Sequence, residues 1–290
     1  MPTSQLTLLS SMASSDFEES MLLHRDWGLK WVDLRDGIYG KRVEELDLDA
    51  ALQARRSIDA LGLEVYCVST NVFVEDVAHG EAALRAHLDT LERAIEVAGV
   101  LRPRLLRLNA ANFAERATDS SAISVIKEHY PWFVDVYRAG VDMVAARGMV
   151  ATIENEAFDC CLSKPEEFVE FFDWLDRPEG AGLTWDVQNQ WSTGVFPSLD
   201  IYRQLKPYIR YYHVKGGQCE PGSTTLAWNV ALEDASWPVL EITNAVVADG
   251  VSPVICLNPA QHGAQKAGYD YDGLVARDLA FLRNSVAGLA

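Results

Sequence analysis

The chain has 290 residues, 49% of them hydrophobic and 23% charged, a composition that buries a large core and excludes a disordered or fibrous protein. Its 42 acidic side chains against 25 basic ones leave a formal charge of −17, and no basic stripe runs through it. Nucleic acid is therefore not an expected partner, and the same excess weighs against a heavily phosphorylated substrate.

Five cysteines (Cys67, Cys160, Cys161, Cys219 and Cys256) without metal-finger spacing point to a reduced, cytoplasmic setting. Residues 1–15 lack a basic leader region, and no apolar run reaches the about 18 residues that span a bilayer, so neither a signal peptide nor a membrane partner is expected.

In chain order, residues 5–12 read as a first strand, and Ser15 with Glu18 has the spacing of a capping box opening a helix. Residues 31–35 form a second strand, and a helix over 49–61 stops at Gly62, where a left-handed C-cap suits glycine. Residues 63–70 form a third strand, apolar on both faces as a strand buried under helices must be. Leu84, Leu88, Leu91, Ala94, Ile95 and Ala98 then recur at helical spacing, with His87 inside the stripe as a packed or rim residue and Gly99 as the expected end.

Residues 104–109 form a fourth strand, and the helical stretch 121–147 is interrupted by Pro131. Residues 149–156 form the fifth strand, followed by a helix capped by Ser163-Lys164-Pro165-Glu166. Strand six spans 182–187 and strand seven 209–214, with a helix over 199–205 between them; a loop over 216–231 has the length of a functional lid. A helix over 237–248, an eighth strand over 253–257 and a helix over 271–286 complete eight strand–helix units. The alternation predicts an α/β fold, a (β/α)₈ TIM barrel, with residues 1–290 as a single domain.

Three strand ends carry groups able to bind a metal or move a proton: Glu154 on strand five, Asp186 on strand six and His213 on strand seven. They are separated by 32 and 27 residues, close to the roughly 30 of one strand–helix unit, and a barrel brings the carboxyl ends of its strands around one pocket. Two carboxylates side by side repel unless a cation joins them. Oxygen ligands with one imidazole suit a divalent metal; the set does not choose among Mn²⁺, Mg²⁺, Co²⁺ and Zn²⁺, with Mn²⁺ the first expectation. Arg107, Asn109, Asn112, Gln188 and Lys215 fall at or just past strand ends, where they can bind hydroxyls or polarise a carbonyl; Arg107 and Lys215 can equally be internal ion-pair partners. Trp191 and Trp228 fall in loops on the same expected face, where an amphipathic ring can stack on a ligand, whereas Trp185 is expected in the barrel wall.

The chain resembles the xylose-isomerase-like sugar isomerase and epimerase superfamily over essentially the whole barrel. The residues that carry the resemblance are Ile153-Glu154-Asn155, Trp185-Asp186-Val187-Gln188-Asn189 and His213-Val214-Lys215. It implies that Glu154, Asp186 and His213 ligate a metal and that Glu154 is also an acid/base. Ketose epimerases of this group carry a second glutamate on strand eight as ligand and opposite base; here Asn258 occupies that place, and an amide can coordinate a cation but cannot accept a substrate proton. Asn189 stands where several relatives carry a substrate-binding histidine. Glu156, expected on the strand face of Glu154, and His262, on a loop able to fold over the pocket, are the nearest substitutes for the lost base.

The resemblance thus implies a metal-dependent isomerase or epimerase of a small sugar, keto-sugar or polyol derivative working through an enediolate. A dehydratase or lyase on the same site is a second reading, and a non-catalytic sugar-binding or partner subunit a third. By analogy with the relatives, a homo-oligomer is implied as well.

Overall fold

The computed structural model describes residues 3–116, 120–157, 159–220, 226–228, 230–259 and 271–290. Its strands are β1 (Gln5–Leu8), β2 (Trp31–Leu34), β3 (Glu64–Ser69), β4 (Leu105–Asn109), β5 (Val150–Glu154), β6 (Ala181–Asp186), β7 (Ile209–Val214) and β8 (Val254–Leu257). They pair in parallel in the order β1-β8-β7-β6-β5-β4-β3-β2. The two end strands meet through one parallel bridge, Leu9 with Asp33. Side chains reinforce it: the Thr7 hydroxyl donates to the Trp31 carbonyl at 2.7 Å, and the Trp31 indole N–H donates to the Gln5 side-chain oxygen. The result is a nearly closed (β/α)₈ barrel.

The connections carry α1 (Ser10–Ala13), α2 (Phe17–Asp26), α3 (Leu48–Ala60), α4 (Glu81–Leu101), α5 (Ala122–His129), α6 (Phe133–Ala145), α7 (Pro165–Leu175), α8 (Val187–Ser192), α9 (Leu199–Leu205), α10 (Val239–Asp249) and α11 (Tyr271–Ser285). Their apolar stripes form one continuous shell against the sheet. On α6 that stripe is Phe133, Val136, Tyr137, Val141 and Val144, each worth about 1.5–3 kcal/mol when buried. Gly140 belongs to the same face because the Phe73 ring lies 3.0 Å from where its Cβ would be.

Several local expectations are corrected. The first strand stops at Leu8, and residues 10–13 coil into α1. Asp16, not Ser15, caps α2, its carboxylate accepting from the Glu19 N–H at 2.9 Å; the start one residue later turns Phe17, Met21 and His24 inward. The helix expected to end at Gly99 runs on to bury Leu101, and Arg102 takes the left-handed cap at φ 57°. Gly62 follows α3 at φ 70°, and Pro131 separates α5 from α6. The glutamate that caps α7 is Glu167, accepting from the N–H groups of Ser163 and Lys164, both at 2.9 Å.

Two corrections bear on the site. The fifth strand ends at Glu154, so Glu156 lies beyond it rather than on its face. Strand six is followed at once by α8, so Trp191 sits on a helical turn and not in a loop, and Gln188 and Asn189, expected at the strand end, share that turn. Among the described residues, no helix is long and apolar enough to cross a membrane.

Candidate functional site

The parallel register carries β5, β6 and β7 to the same end of the barrel, Glu154 facing Thr184 and Asp186 facing His213 across the ladders. Alternation of side chains along each strand turns all three functional groups inward. Glu154 Oε1 stands 2.9 Å from His213 Nδ1, and Asp186 Oδ2 stands 3.8 Å from the same nitrogen. One ligand atom from each residue lies within 4.8 Å of the other two, and all three side chains are buried.

Asp186 is held unusually firmly. Its backbone exchanges two hydrogen bonds with the Asn155 amide, at 2.8 and 2.9 Å, and its Oδ1 caps α8 by accepting from the Asn189 N–H at 2.9 Å. The short helix exists because Asp186 can cap it. The other oxygen, Oδ2, is left facing the pocket. Lys215 Nζ approaches it to 2.7 Å and donates to Asn189 Oδ1 at 3.1 Å. From β8, Asn258 Nδ2 donates to Asp186 Oδ2 at 3.3 Å and lies 3.5 Å from His213 Nδ1.

Arg107 plays the matching part for Glu154. Its guanidinium pairs with Glu154 Oε2, donates to the Thr70 carbonyl at 2.8 Å and lies 3.4 Å from Glu156 Oε1. Both Arg107 and Lys215 are therefore ion-paired with the central carboxylates. Burial pushes the His213 imidazole down to about 4, although Asp186 and Asp33 oppose the shift, so the ring is neutral at pH 7. Burial lifts the Glu156 carboxyl, but Arg107, Arg35 and Lys215 together outweigh it and hold the group below its ordinary range.

The remaining residues fall around this centre. Asn109 donates to the Thr70 carbonyl at 2.9 Å, and its buried Oδ1 has no hydrogen-bond partner among the described residues. Gln188 donates to the Gly216 carbonyl and, at 3.5 Å, to that of Trp228; its buried Oε1 likewise lacks a partner. Asn189 Nδ2 reaches Glu156 Oε2 at 3.5 Å. Trp191 lies edge-on to Phe196, ring centroids 5.4 Å apart, and its ring sits 2.9 Å from where a Gly217 Cβ would be. Trp185 is buried in the wall, its indole N–H donating to Gln190 Oε1 at 2.9 Å. Asn112 pairs the loops at Asp76 and Cys160, and His87 accepts from the Phe73 N–H at 3.0 Å on the helix rim. His262 and part of the expected lid, residues 221–225 and 229, lie outside the described residues.

Sequence reasoning missed Asp33, Ser69 and Tyr211, and it named Asn155 only as part of a motif, without its role in holding Asp186. Asp33, the penultimate residue of β2, lies beside the imidazole, Oδ2 3.9 Å from His213 Nε2. Tyr211 donates to Asp33 Oδ2 at 2.9 Å and Ser69 to Oδ1 at 2.7 Å. The available signal was a carboxylate at the end of an apolar strand run, Trp31-Val32-Asp33, the same signal that marks Glu154.

The donor set fits a divalent cation on two observations. Two buried carboxylates and a neutral imidazole converge on one point, and the ring nitrogen facing away from that point is a buried atom with no hydrogen-bond partner among the described residues, 3.9 Å from a carboxylate oxygen.

The sequence profile of the xylose isomerase-like TIM barrel family matches residues 23–259. No curated protein matches the chain. Solved structures share its fold at low identity. The probable 3-DHS dehydratase AsbF of Bacillus anthracis is 15% identical with a TM-score of 0.72, covering 97% of this chain and 99% of that one. D-allulose 3-epimerase from Methylomonas sp. is 13% identical with a TM-score of 0.73, covering 99% of both. A xylose isomerase-like TIM barrel protein from Mycobacterium smegmatis, in complex with magnesium, is 14% identical with a TM-score of 0.70, covering 100% of this chain and 98% of the other.

Proposed function

Because the chain belongs to the xylose isomerase-like TIM barrel family, we propose that it is a metal-dependent enzyme that isomerises or epimerises a small sugar, keto-sugar or polyol derivative. The observation that carries this reading is the convergence of Glu154, Asp186 and His213 within 4.8 Å at the ends of consecutive strands. Epimerase neighbours with the same fold support it.

Glu154, Asp186 and His213 would hold the cation, with the Asn258 side chain beside them; Mn²⁺ is the first choice, with Mg²⁺, Co²⁺ or Zn²⁺ as alternatives. When bound, such an ion supplies Lewis-acid polarisation of adjacent hydroxyl and carbonyl oxygens. Glu154 is the base for the proton next to the carbonyl. Arg107 fixes one of its oxygens, which aims the other inward. Lys215 and Arg107, both buried, place positive charge where an enediolate would develop. Gln188, Asn189 and Asn109 offer amide groups to substrate hydroxyls, and Trp191 and Trp228 offer rings to the sugar face. Glu156, held below its ordinary range by three cations, suits a hydroxyl acceptor better than a strong base; return of the proton falls to His262, to water, or to Glu156 once it has itself been protonated.

One observation favours a second reading. Asn258 stands beside Asp186 and His213, where a second carboxylate would serve the opposite face of the substrate. A site with one good base suits elimination of a β-hydroxyl, and Lys215 is placed to protonate it. The test is incubation with a panel of ketoses and cyclic polyol ketones in ²H₂O with Mn²⁺, wild type beside Glu154→Gln. Deuterium gained next to the carbonyl with the skeleton retained indicates isomerisation, and an unsaturated product indicates elimination. Neither reaction in wild type, or both surviving in the variant, refutes the assignment.

A further inference from the structure

We propose that the groove at the amino ends of β6 and β7 binds a zwitterionic amino acid with an apolar side chain. Arg210 takes its carboxylate, the aspartates at the end of α7 meet its ammonium, and the rings of Phe172 and Tyr208 receive its side chain. This goes beyond the proposed function, because the groove lies at the opposite end of the barrel from Asp186 and His213, which stand at the carboxyl ends of the same strands.

The groove has a volume of about 400 Å³, within the range of about 300–1,000 Å³ that small-molecule sites occupy. It opens between the end of α7 and the turns that lead into β6 and β7. Phe172, Leu175, Ala181 and Tyr208 form its apolar wall, and the rings of Phe172 and Tyr208 stack at 21° with centroids 5.4 Å apart. Such a wall takes an apolar body. The charged groups decide what else the ligand carries.

Four charged side chains line the groove: Asp173, Asp176, Arg177 and Arg210. Two are already engaged. Arg177 gives its Nε–H and an Nη2–H to Asp142 at 2.7 and 3.1 Å, and one oxygen of Asp173 accepts from the Tyr208 hydroxyl at 2.8 Å. Arg210 differs, because its guanidinium donates only to carbonyls, those of Ile209, Pro207 and Pro178 at 3.1, 3.2 and 3.4 Å. These bonds fix the group without neutralising it. They leave Nε–H and one Nη2–H without a partner among the described residues, the number of donors that a carboxylate takes in bidentate fashion. The stem reaches this place because residue 182 is glycine: a Cβ there would collide with Arg210 Cγ and lie 2.9 Å from the Tyr208 carbonyl oxygen. Asp176 ends α7 in the left-handed conformation, at φ 50°, and its carboxylate has no hydrogen bond or ion pair among the described residues. One unneutralised cation and one unneutralised anion in the same groove match a ligand that carries both charges. A simple anion is matched less well, since the formal charge of −17 repels it and leaves a zwitterion untouched.

The experiment is calorimetric titration of the full chain with L-phenylalanine, 3-phenylpropionate and phenethylamine, in EDTA so that the metal centre takes no part. Wild type is compared with Arg210→Met and Asp176→Asn. Expected in wild type is one phenylalanine per chain, with 3-phenylpropionate, which lacks the ammonium, about two- to fivefold weaker, and phenethylamine, which lacks the carboxylate, about tenfold weaker or more. Arg210→Met keeps a stem beside Gly182 and is expected to weaken phenylalanine about tenfold or more while leaving phenethylamine unchanged. Asp176→Asn weakens phenylalanine about two- to fivefold and does not weaken 3-phenylpropionate. If Arg210→Met does not fold, Asp176→Asn and the two analogues carry the test. Binding of 3-phenylpropionate as tight as that of phenylalanine overturns the zwitterionic class. Phenylalanine binding that both substitutions leave unchanged overturns the location, and wild type that binds no phenylalanine overturns the site. The proposed function stands under each of these outcomes.

Discussion

Lys215→Met removes the ammonium that lies 2.7 Å from Asp186 Oδ2 and keeps a stem of similar length. The side chains are 7% and 0% exposed, so water screens the pair little, and deleting one partner of a buried pair costs about 3–5 kcal/mol. Asp186 retains the Asn189 N–H at 2.9 Å and the Asn258 amide at 3.3 Å, which places the expected loss at the lower end, about 3 kcal/mol in the presence of EDTA. A divalent cation in the pocket replaces the missing charge. At a hundredfold excess over its dissociation constant it stabilises the folded state by about 2.7 kcal/mol, and the variant binds it more tightly than wild type because the competing ammonium is gone. The assay is urea unfolding of both proteins at pH 7 with EDTA and with Mn²⁺. A deficit below about 1 kcal/mol in EDTA, or one that Mn²⁺ leaves unchanged, would refute the view that Lys215 stands in for positive charge at this point.

Asp278 tests the fold rather than the site. Buried on α11, it accepts from the Leu232 N–H at 2.8 Å, and burial raises its carboxyl to about 7. The native state therefore holds this proton more tightly than the unfolded chain, so its stabilising effect is complete below about pH 4 and is lost as the pH rises through 7. Asp278→Asn keeps the acceptor and removes the titration, so its stability relative to wild type is expected to rise by about 2–3 kcal/mol between pH 5 and 8; parallel denaturation curves at the two pH values would contradict this. Asn258→Glu adds a carboxylate next to Asp186 and is expected to lower the melting temperature in EDTA and to tighten Mn²⁺ at least about tenfold, as added ligand charge does; unchanged affinity would place Asn258 outside the metal's reach. Gly216→Ala would put a Cβ 1.6 Å from the Val230 carbonyl oxygen. A loss of about 3 kcal/mol is expected, at the high end for overpacking, and a variant melting with wild type would show that this crossing is not tight.

The barrel and its three central ligand candidates were legible because both depend on repetition. Apolar runs recur once per strand–helix unit, and Glu154, Asp186 and His213 each end such a run. The position of Asn258 beside them was legible for the same reason. What could not be read is whatever depends on contacts across the barrel. Nothing in the spacing links Asp33 on β2 to Tyr211 and His213 on β7, because that contact is made by closure and not by neighbourhood in the chain. The turn after β6 failed for a different reason. A six-residue helix is too short to show periodicity, and it forms because Asp186, itself a site residue, caps it. Glu156 was placed on a strand that stops two residues earlier, the ±2-residue uncertainty of any strand end, yet its carboxylate still reaches Arg107.

The join between β1 and β2 gives the barrel a preferred line of opening. Elsewhere neighbouring strands are laced by backbone ladders, but here a single bridge and two side-chain bonds span the gap. Slow breathing of the cylinder is therefore expected to start at this join, with amide exchange in β1 and β2 outrunning that of β4 to β6. Asp33 belongs to the bridge itself. Each opening event is then expected to shift the carboxylate that stands 3.9 Å from His213 Nε2, so breathing of the wall reaches the centre of the barrel.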